Sequence, residues 1–197
     1  RDIFTGRLRR CRLSLSPMPL KLAVMMPDDE IVPLVNDRGE VIGQTPRRDC
    51  HRGPGRLHPV VHLHIFNRAG EIFLQKRSGG KDVFPGCWDT AVGGHIAYGE
   101  SVAEALAREA EEEIGLRDIS ARLLGRHIIV TAYESEYTYV FMAMSDGPFH
   151  PNPQEVAEAR FWTVAEITAC LGSGVFTPNF EQDWLRFFQG RDSISGN

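Results

Sequence analysis

A chain of 197 residues, 42% apolar and 24% charged, has the size and balance of one ordinary globular domain or slightly more. Its 22 basic and 26 acidic residues leave a net charge of −4, which argues against a nucleic acid polymer as partner. No apolar run reaches the roughly 18 residues of a membrane span. The scattered cysteines Cys11, Cys50, Cys87 and Cys170, with no C-x-x-C pair and no visible signal peptide, predict reduced thiols and a cytoplasmic protein without a zinc knuckle.

In chain order, residues 1–26 break from the rest. Arg7, Arg9, Arg10 and Arg12 crowd one short piece, and Pro17, Pro19 and Pro27 follow. Such a piece reads either as a transit-peptide-like arm or as sequence upstream of a natural start at Met25 or Met26. In both readings the folded domain is 27–197. A hairpin is predicted over 31–43, turning at Asn36-Asp37-Arg38-Gly39, and a polar loop over 45–57. Residues 60–66 alternate, with Val61, Leu63 and Ile65 on one side and His62, His64 and Phe66 on the other, the pattern of a strand. Residues 71–77 return as a second strand, 78–85 form a loop and 88–93 a third strand. The loop's Gly79-Gly80-Lys81 lacks the spacing of a nucleotide-binding P-loop. Further strands are predicted at 126–134, 136–144 and 159–163, and a helix at 164–171. An amphipathic helix at 179–189 closes the chain, with Phe180, Trp184, Leu185 and Phe188 inward. Many strands with few helices, in no strict alternation, predict an α/β fold with a mixed sheet between helices.

Between Gly94 and Leu116 the residues carry chemistry. Ser101 is a good N-cap, Glu104 completes a capping box three residues on, and Gly115 is placed to end the helix. At 100° per residue Ala103, Leu106, Ala107, Ala110 and Ile114 share the packing arc, with Glu104 and Glu111 opposite it. Glu109, Glu112 and Glu113 form a third group. Their spacing of three and four lets all three carboxylates reach one point, near the helix end that already disfavours anions. Either this is a solvated acidic face, or a cation relieves the repulsion. Mg²⁺ is held in that way, through carboxylates together with substrate phosphates.

The order is Gly94, five residues, Glu100, seven residues, Arg108-Glu109, Ala110, one residue, Glu112-Glu113, one residue, Gly115-Leu116. It resembles the Nudix box of the Nudix hydrolase family, with Ala110 standing where a larger aliphatic residue is usual. The resemblance implies a Nudix-type α/β/α sandwich with a mixed β-sheet. It implies Mg²⁺ or Mn²⁺ held by Glu109, Glu112, Glu113 and the Gly93 carbonyl. The metal would activate a water to cleave the diphosphate linkage of a small molecule, a nucleoside diphosphate derivative or related organic diphosphate. Glu112 is read as a ligand that also acts as base, and Arg108 as the partner of Glu100, holding the loop against the helix. A later loop supplies a base or further ligand in this family. Glu155 is the match and Glu158 the runner-up, and both also read as solvated loop acids. Arg77 and Lys76 are candidates to neutralise the phosphates, with an exposed strand end as the plainer reading.

Residues 37–43, 51–58, 75–77 and 85–89 resemble one branch more than others, isopentenyl diphosphate isomerase and its hydrolase-like cousins. The isomerases have a separate metal site of three histidines and a Glu-x-Glu pair, matched here by His51, His58, His95, Glu134 and Glu136. That donor set suits a second Zn²⁺ or Mn²⁺, while each residue singly also reads as a loop histidine or an edge-strand acid. Isomerase chemistry needs a cysteine just before the Gly-His pair. Gly93 stands there, and Cys87 lies six residues earlier. The isomerases also have a degraded box, which is intact here. Both departures favour a hydrolase over an isomerase, and the intact carboxylate trio argues against a non-catalytic nucleotide-sensing module. The substrate and the oligomeric state, homodimer included, stay open.

Overall fold

The computed structural model describes residues 30–81 and 83–190. The predicted N-terminal extension, 1–26, lies outside the described residues. Strands β1 (Ile31–Val35) and β2 (Val41–Pro46) form a two-stranded antiparallel sheet. Its turn is built by Asn36, whose Oδ1 accepts from the N–H groups of Arg38 and Glu40 at 2.9 and 3.0 Å. Gly39 takes φ +79° there, and a side chain would run into the Tyr137 ring. The predicted loop after this hairpin is partly ordered. β2 continues to Pro46, and a four-residue helix, α1 (Arg47–Cys50), follows, pinned by the Arg47 N–H on the Glu30 carbonyl at 2.7 Å.

Seven strands make the main sheet: β3 (Leu57–Phe66), β4 (Ile72–Arg77), β5 (Trp88–Asp89), β6 (Val92–His95), β7 (Ala121–Val130), β8 (Ser135–Met144) and β9 (Val156–Trp162). It is mixed, as the sequence predicts. β3 runs parallel to β8, from Leu57 opposite Ser135 to Phe66 opposite Met144, and β7 lies antiparallel to β8. The other edge of β3 is shared, with β6 along Val60–Leu63 and β4 only at Ile65 and Phe66. The strand predicted over 88–93 is therefore two strands. Thr90 and Ala91 carry the chain from β4 to β3, and the Thr90 hydroxyl donates to the Val92 carbonyl at 2.9 Å.

The alternation along β3 assigns its faces. Val61, Leu63 and Ile65 meet helix α2 (Val102–Ile114) through Ala105, Leu106, Ala110 and Ile114. Phe66 faces the opposite layer, where α3 (Val164–Cys170), α4 (Pro178–Asp183) and the residues flanking α4 cover the sheet with Ile167, Phe176, Phe180, Trp184 and Phe188. Each fully buried side chain of this kind contributes roughly 1.5–3 kcal/mol, so the two apolar clusters hold the layers together. α4 passes into a π-helical turn, Trp184–Phe188, closed by the Gln189 N–H on the Trp184 carbonyl at 2.9 Å. The predicted inward stripe of this segment needs one correction. Leu185 is half exposed, while Asp183 is fully buried. The polar side of β3, His62 and His64, demands a carboxylate there.

Candidate functional site

Helix α2 begins and ends as its sequence predicts. The Ser101 hydroxyl accepts from the Glu104 N–H, and the Glu104 carboxylate accepts from the Ser101 N–H at 2.9 Å. Gly115 adopts the left-handed conformation, and Leu116 N–H closes onto the Ala110 carbonyl. The buried face is rotated from the predicted one. Ala105, Leu106, Ala110, Glu113 and Ile114 are buried, whereas Ala103 and Ala107 are exposed. The physical cause lies in β6. A side chain on Gly94 would fall directly on the Glu109 carboxylate, so the glycine lets the acidic side of the helix turn inward.

Glu113 is thereby taken out of water and Glu109 largely so. Burial, and then repulsion from Glu113, pushes the Glu109 carboxyl up to about 8. Burial pushes Glu113 up to about 7, against the pull of Lys81 and of two hydrogen bonds. Those bonds come from Gln75 Nε2 at 2.8 Å and the Gly93 N–H at 3.1 Å. Glu112 stays largely exposed. Gly93 lies opposite His62 at a pair that exchanges no ladder bonds, because the ladder bond from Ile96 N–H to Pro59 O sets the alternation. Its carbonyl therefore points the same way as its N–H, toward the Glu113 side. Glu109 and Glu112 meet at the Arg108 guanidinium while Glu113 is bonded to Gln75 and Gly93, so among the described residues the three carboxylates do not form a group whose ligand atoms all lie within 4.8 Å of one another. As donor types, carboxylates and a carbonyl oxygen suit a hard divalent cation.

Arg108 ties this corner together. Its Nε and Nη2 donate to the two oxygens of Glu100, both at 2.9 Å, and Nη2 also donates to the His95 carbonyl at 3.0 Å. Nη1 donates to Glu109 at 2.8 Å and Glu112 at 3.2 Å. The guanidinium thus orients ligand candidates and spans from loop to helix.

These groups line a cavity of about 1100 Å³ that also exposes Arg77, Lys81, Glu155, Asn179, His51, His62, Glu134 and Glu136. Arg77 faces it, sharing a side of β4 with Gln75, and donates to Asp89 Oδ2 at 3.1 Å. Lys76 does not. It lies on the opposite side of the strand, beside Glu158 at 3.9 Å, and both are absent from the lining. Lys81 stands in the cavity instead and donates to Glu155 at 2.8 Å. It sits in the Gly79-Gly80-Lys81 loop, whose spacing is not that of a P-loop.

On another wall, residues from three strands and two connecting segments converge: His58 of β3, His95 of β6 and Glu136 of β8, with His51 after α1 and Glu134 before β8. His51 Nε2 lies 3.3 Å from His95 Nε2 and 3.3 Å from Glu134. The ligand atoms of His51, His58 and His95 lie within 4.8 Å of one another, as do those of His58, Glu134 and Glu136. His58 Nδ1 donates to the Arg56 carbonyl at 3.0 Å, which leaves the buried Nε2 as a lone pair without a partner. Burial holds His58 and His95 neutral by lowering both, and burial with Glu136 close by pushes Glu134 up to about 8. An orphaned imidazole nitrogen among two further imidazoles and two carboxylates fits a borderline divalent ion. One adjustment is required. Arg47 Nε donates to His95 Nδ1 at 3.2 Å, so the ring proton sits on Nε2; for Nε2 to bind an ion, that proton moves to Nδ1 and Arg47 turns away.

Sequence reasoning missed a third polar group. Asp183 accepts from His62 Nδ1 at 2.8 Å, His64 Nε2 at 2.9 Å and His127 Nε2 at 2.6 Å. Its available signal was the pair of histidines alternating onto one face of an otherwise apolar strand.

A sequence model of the NUDIX domain matches residues 56–180. An uncharacterized Nudix hydrolase of Pseudomonas aeruginosa is 37% identical over 134 residues, 68% of this chain and 79% of that protein. An isopentenyl-diphosphate Delta-isomerase of Clavibacter michiganensis is 36% identical over 162 residues, 79% of this chain and 82% of its own length. The crystal structure of a Deinococcus radiodurans protein matches with a TM-score of 0.71 at 27% identity, over 81% of this chain and 100% of that one. The MutT protein of Methanosarcina mazei shares the fold, with a TM-score of 0.59 at 23% identity over 68% of this chain and 94% of its own. With the carboxylate helix, the mixed sheet and these matches together, the chain belongs to the Nudix hydrolase family. It is a hydrolase with the α/β Nudix fold.

Proposed function

We propose that this hydrolase cleaves the diphosphate linkage of a nucleoside diphosphate derivative or related organic diphosphate, with Mg²⁺ or Mn²⁺ at the helix carboxylates. One observation carries the reading: the part-buried Glu109 and the buried Glu113 line one cavity, with carboxyls raised to about 8 and about 7. A bare fold gains nothing from such repulsion; a site for a dication does. When bound, the ion would supply Lewis-acid charge for the phosphoryl oxygens and lower the pKa of a water. The chain's own groups do the rest. Glu109, Glu112, Glu113 and the Gly93 carbonyl would hold the ion, and Arg108 orients two of the carboxylates. Arg77 and Lys81, which line the same cavity, offset phosphate charge. Glu112, the least encumbered carboxylate, or Glu155 beside Lys81 accepts the proton of the attacking water.

The His51, His58, His95, Glu134 and Glu136 cluster is read as a second centre for Zn²⁺ or Mn²⁺. It supports a second reading, an isomerase of isopentenyl diphosphate, because relatives carry that name. Gly93 counts against it, since no thiol stands before the Gly94-His95 pair.

The test is a panel of nucleoside di- and triphosphates, dinucleotides, coenzyme A and prenyl diphosphates with Mg²⁺, read by phosphate or nucleotide release. Metal-dependent hydrolysis of at least one member is expected, and none across the panel sinks the reading. Incubation with isopentenyl diphosphate in deuterated water is expected to give no exchange; metal-dependent exchange into product would install the isomerase in its place.

A further inference from the structure

Glu136 is held from outside the sheet by the C-terminal helix. Asn179 and Asp183 lie four residues apart on α4, one turn, and reach Glu136 of β8 and His62 of β3. Phe180 and Trp184 of the same segment enter the apolar cluster. Asn179 Nδ2 donates to Glu136 Oε2 at 2.6 Å between two buried side chains, while Asn179 Oδ1 has no partner. Burying an amide with its carbonyl unpaired is unfavourable. Packing alone would favour a leucine, which has the same branched shape, at this place. The second group is His62, whose Nε2 lies 3.9 Å from the same Glu136 oxygen. Its ring is fixed by Nδ1 donating to Asp183 at 2.8 Å, and it fills the space beneath Gly93, where a Cβ would come within 3.6 Å of it.

Glu136 Oε2 is therefore bonded to the Asn179 amide and faces the His62 edge, which leaves Oε1 for the ligand cluster. We propose that Asn179 is a positioning residue for the histidine–glutamate centre: it fixes the Glu136 carboxylate so that its other oxygen is presented to the ion beside His58. Asp183 acts behind it by locking the His62 ring. This rests on the reading of that cluster as a metal centre. Outer hydrogen-bond partners of this kind are worth roughly 10–100-fold in metal affinity.

The experiment compares full-length wild type with Asn179→Leu and Asn179→Ala after stripping with a chelator. Zn²⁺ affinity is measured by competition with a chromophoric chelator, Co²⁺ binding by its visible absorption, and thermal unfolding without metal. A His58→Ala control identifies which bound ion belongs to this cluster. The leucine variant is expected to unfold, metal-free, at or above the wild-type temperature, yet to bind Zn²⁺ at least about 10-fold more weakly and give an altered Co²⁺ spectrum. A purely structural role would move the unfolding temperature and leave both metal readouts alone. Wild-type affinity and an unchanged Co²⁺ spectrum in the leucine variant overturn the proposal. If the leucine variant does not fold, the alanine variant is held to the same two metal readouts. A wild-type protein that takes up neither ion at the His58-dependent site fails at the earlier step, and the metal centre falls together with its positioning residue.

Discussion

Arg108 forks onto Glu100: Nε meets one carboxylate oxygen and Nη2 the other, each at 2.9 Å. This closes the loop that follows strand β6, with its Gly93 and Gly94, onto the helix that carries the three carboxylates. The geometry needs a planar group with two parallel donors, which lysine does not have. Arg108→Lys keeps the charge and loses the fork. It is expected to lower kcat/KM by about 10-fold or more while circular dichroism stays unchanged, since a misplacement of about 1 Å costs up to 10²-fold. Near-normal turnover would mean that the fork is dispensable for the site.

Glu112 and Glu113 are read as charged ligands, so Glu112→Gln or Glu113→Gln is expected to lower kcat by at least about 10²-fold with the fold intact. Glu113→Gln has a second signature. It removes a buried charge, so the metal-free variant is expected to melt at or above wild type near pH 8. A loss of stability matching the loss of activity would point to a structural role instead. Turnover that survives at saturating Mg²⁺ would remove the residue from the ion site.

Stability should depend on pH and on metal together. Glu109, Glu113 and Glu134 have carboxyls raised above the ordinary value of 4.5, to about 8, 7 and 8. Asp183 beside it, acting against the cost of burial, raises His62 to about 9. A raised group binds more protons folded than unfolded, so its contribution is full below the unfolded pKa and is lost as pH rises through the folded one. His58 and His95, both lowered, act in the opposite sense below their ordinary 6.5. The clear window therefore lies above about 6.5. Metal-free protein is expected to lose thermal stability from pH 6.5 to 9, and Mg²⁺ to restore more of it at the upper end. A flat profile, or an Mg²⁺ effect that shrinks with rising pH, would contradict the raised carboxyls.

The histidine–glutamate cluster makes its own prediction. Protein purified without added metal or chelator is expected to hold about one Zn or Mn per chain, lost in His95→Ala and released as pH falls and protons compete for the imidazoles. Metal-free protein that still hydrolyses its substrate with Mg²⁺ alone would leave the helix carboxylates as the ion site for the reaction.

Local chemistry was legible in the sequence wherever the reach of an interaction is a turn or less. The caps of α2 and the exposure of Glu104 and Glu111 follow from spacing along one helix. The alternation of β3 sorts its apolar residues from His62 and His64 in the same way. The inward rotation of α2 depends on Gly94, a residue of another element that offers Glu109 the space of a missing side chain. The choice of Lys81 over Lys76 depends on which side of β4 faces the cavity. Asp183 gained its place from three histidines on two strands, one of them 121 residues away. Sequence spacing determines what a helix or strand presents along its own length, because its geometry repeats every few residues. Which side chains then share a cavity is decided only when strand register and helix rotation bring distant elements together.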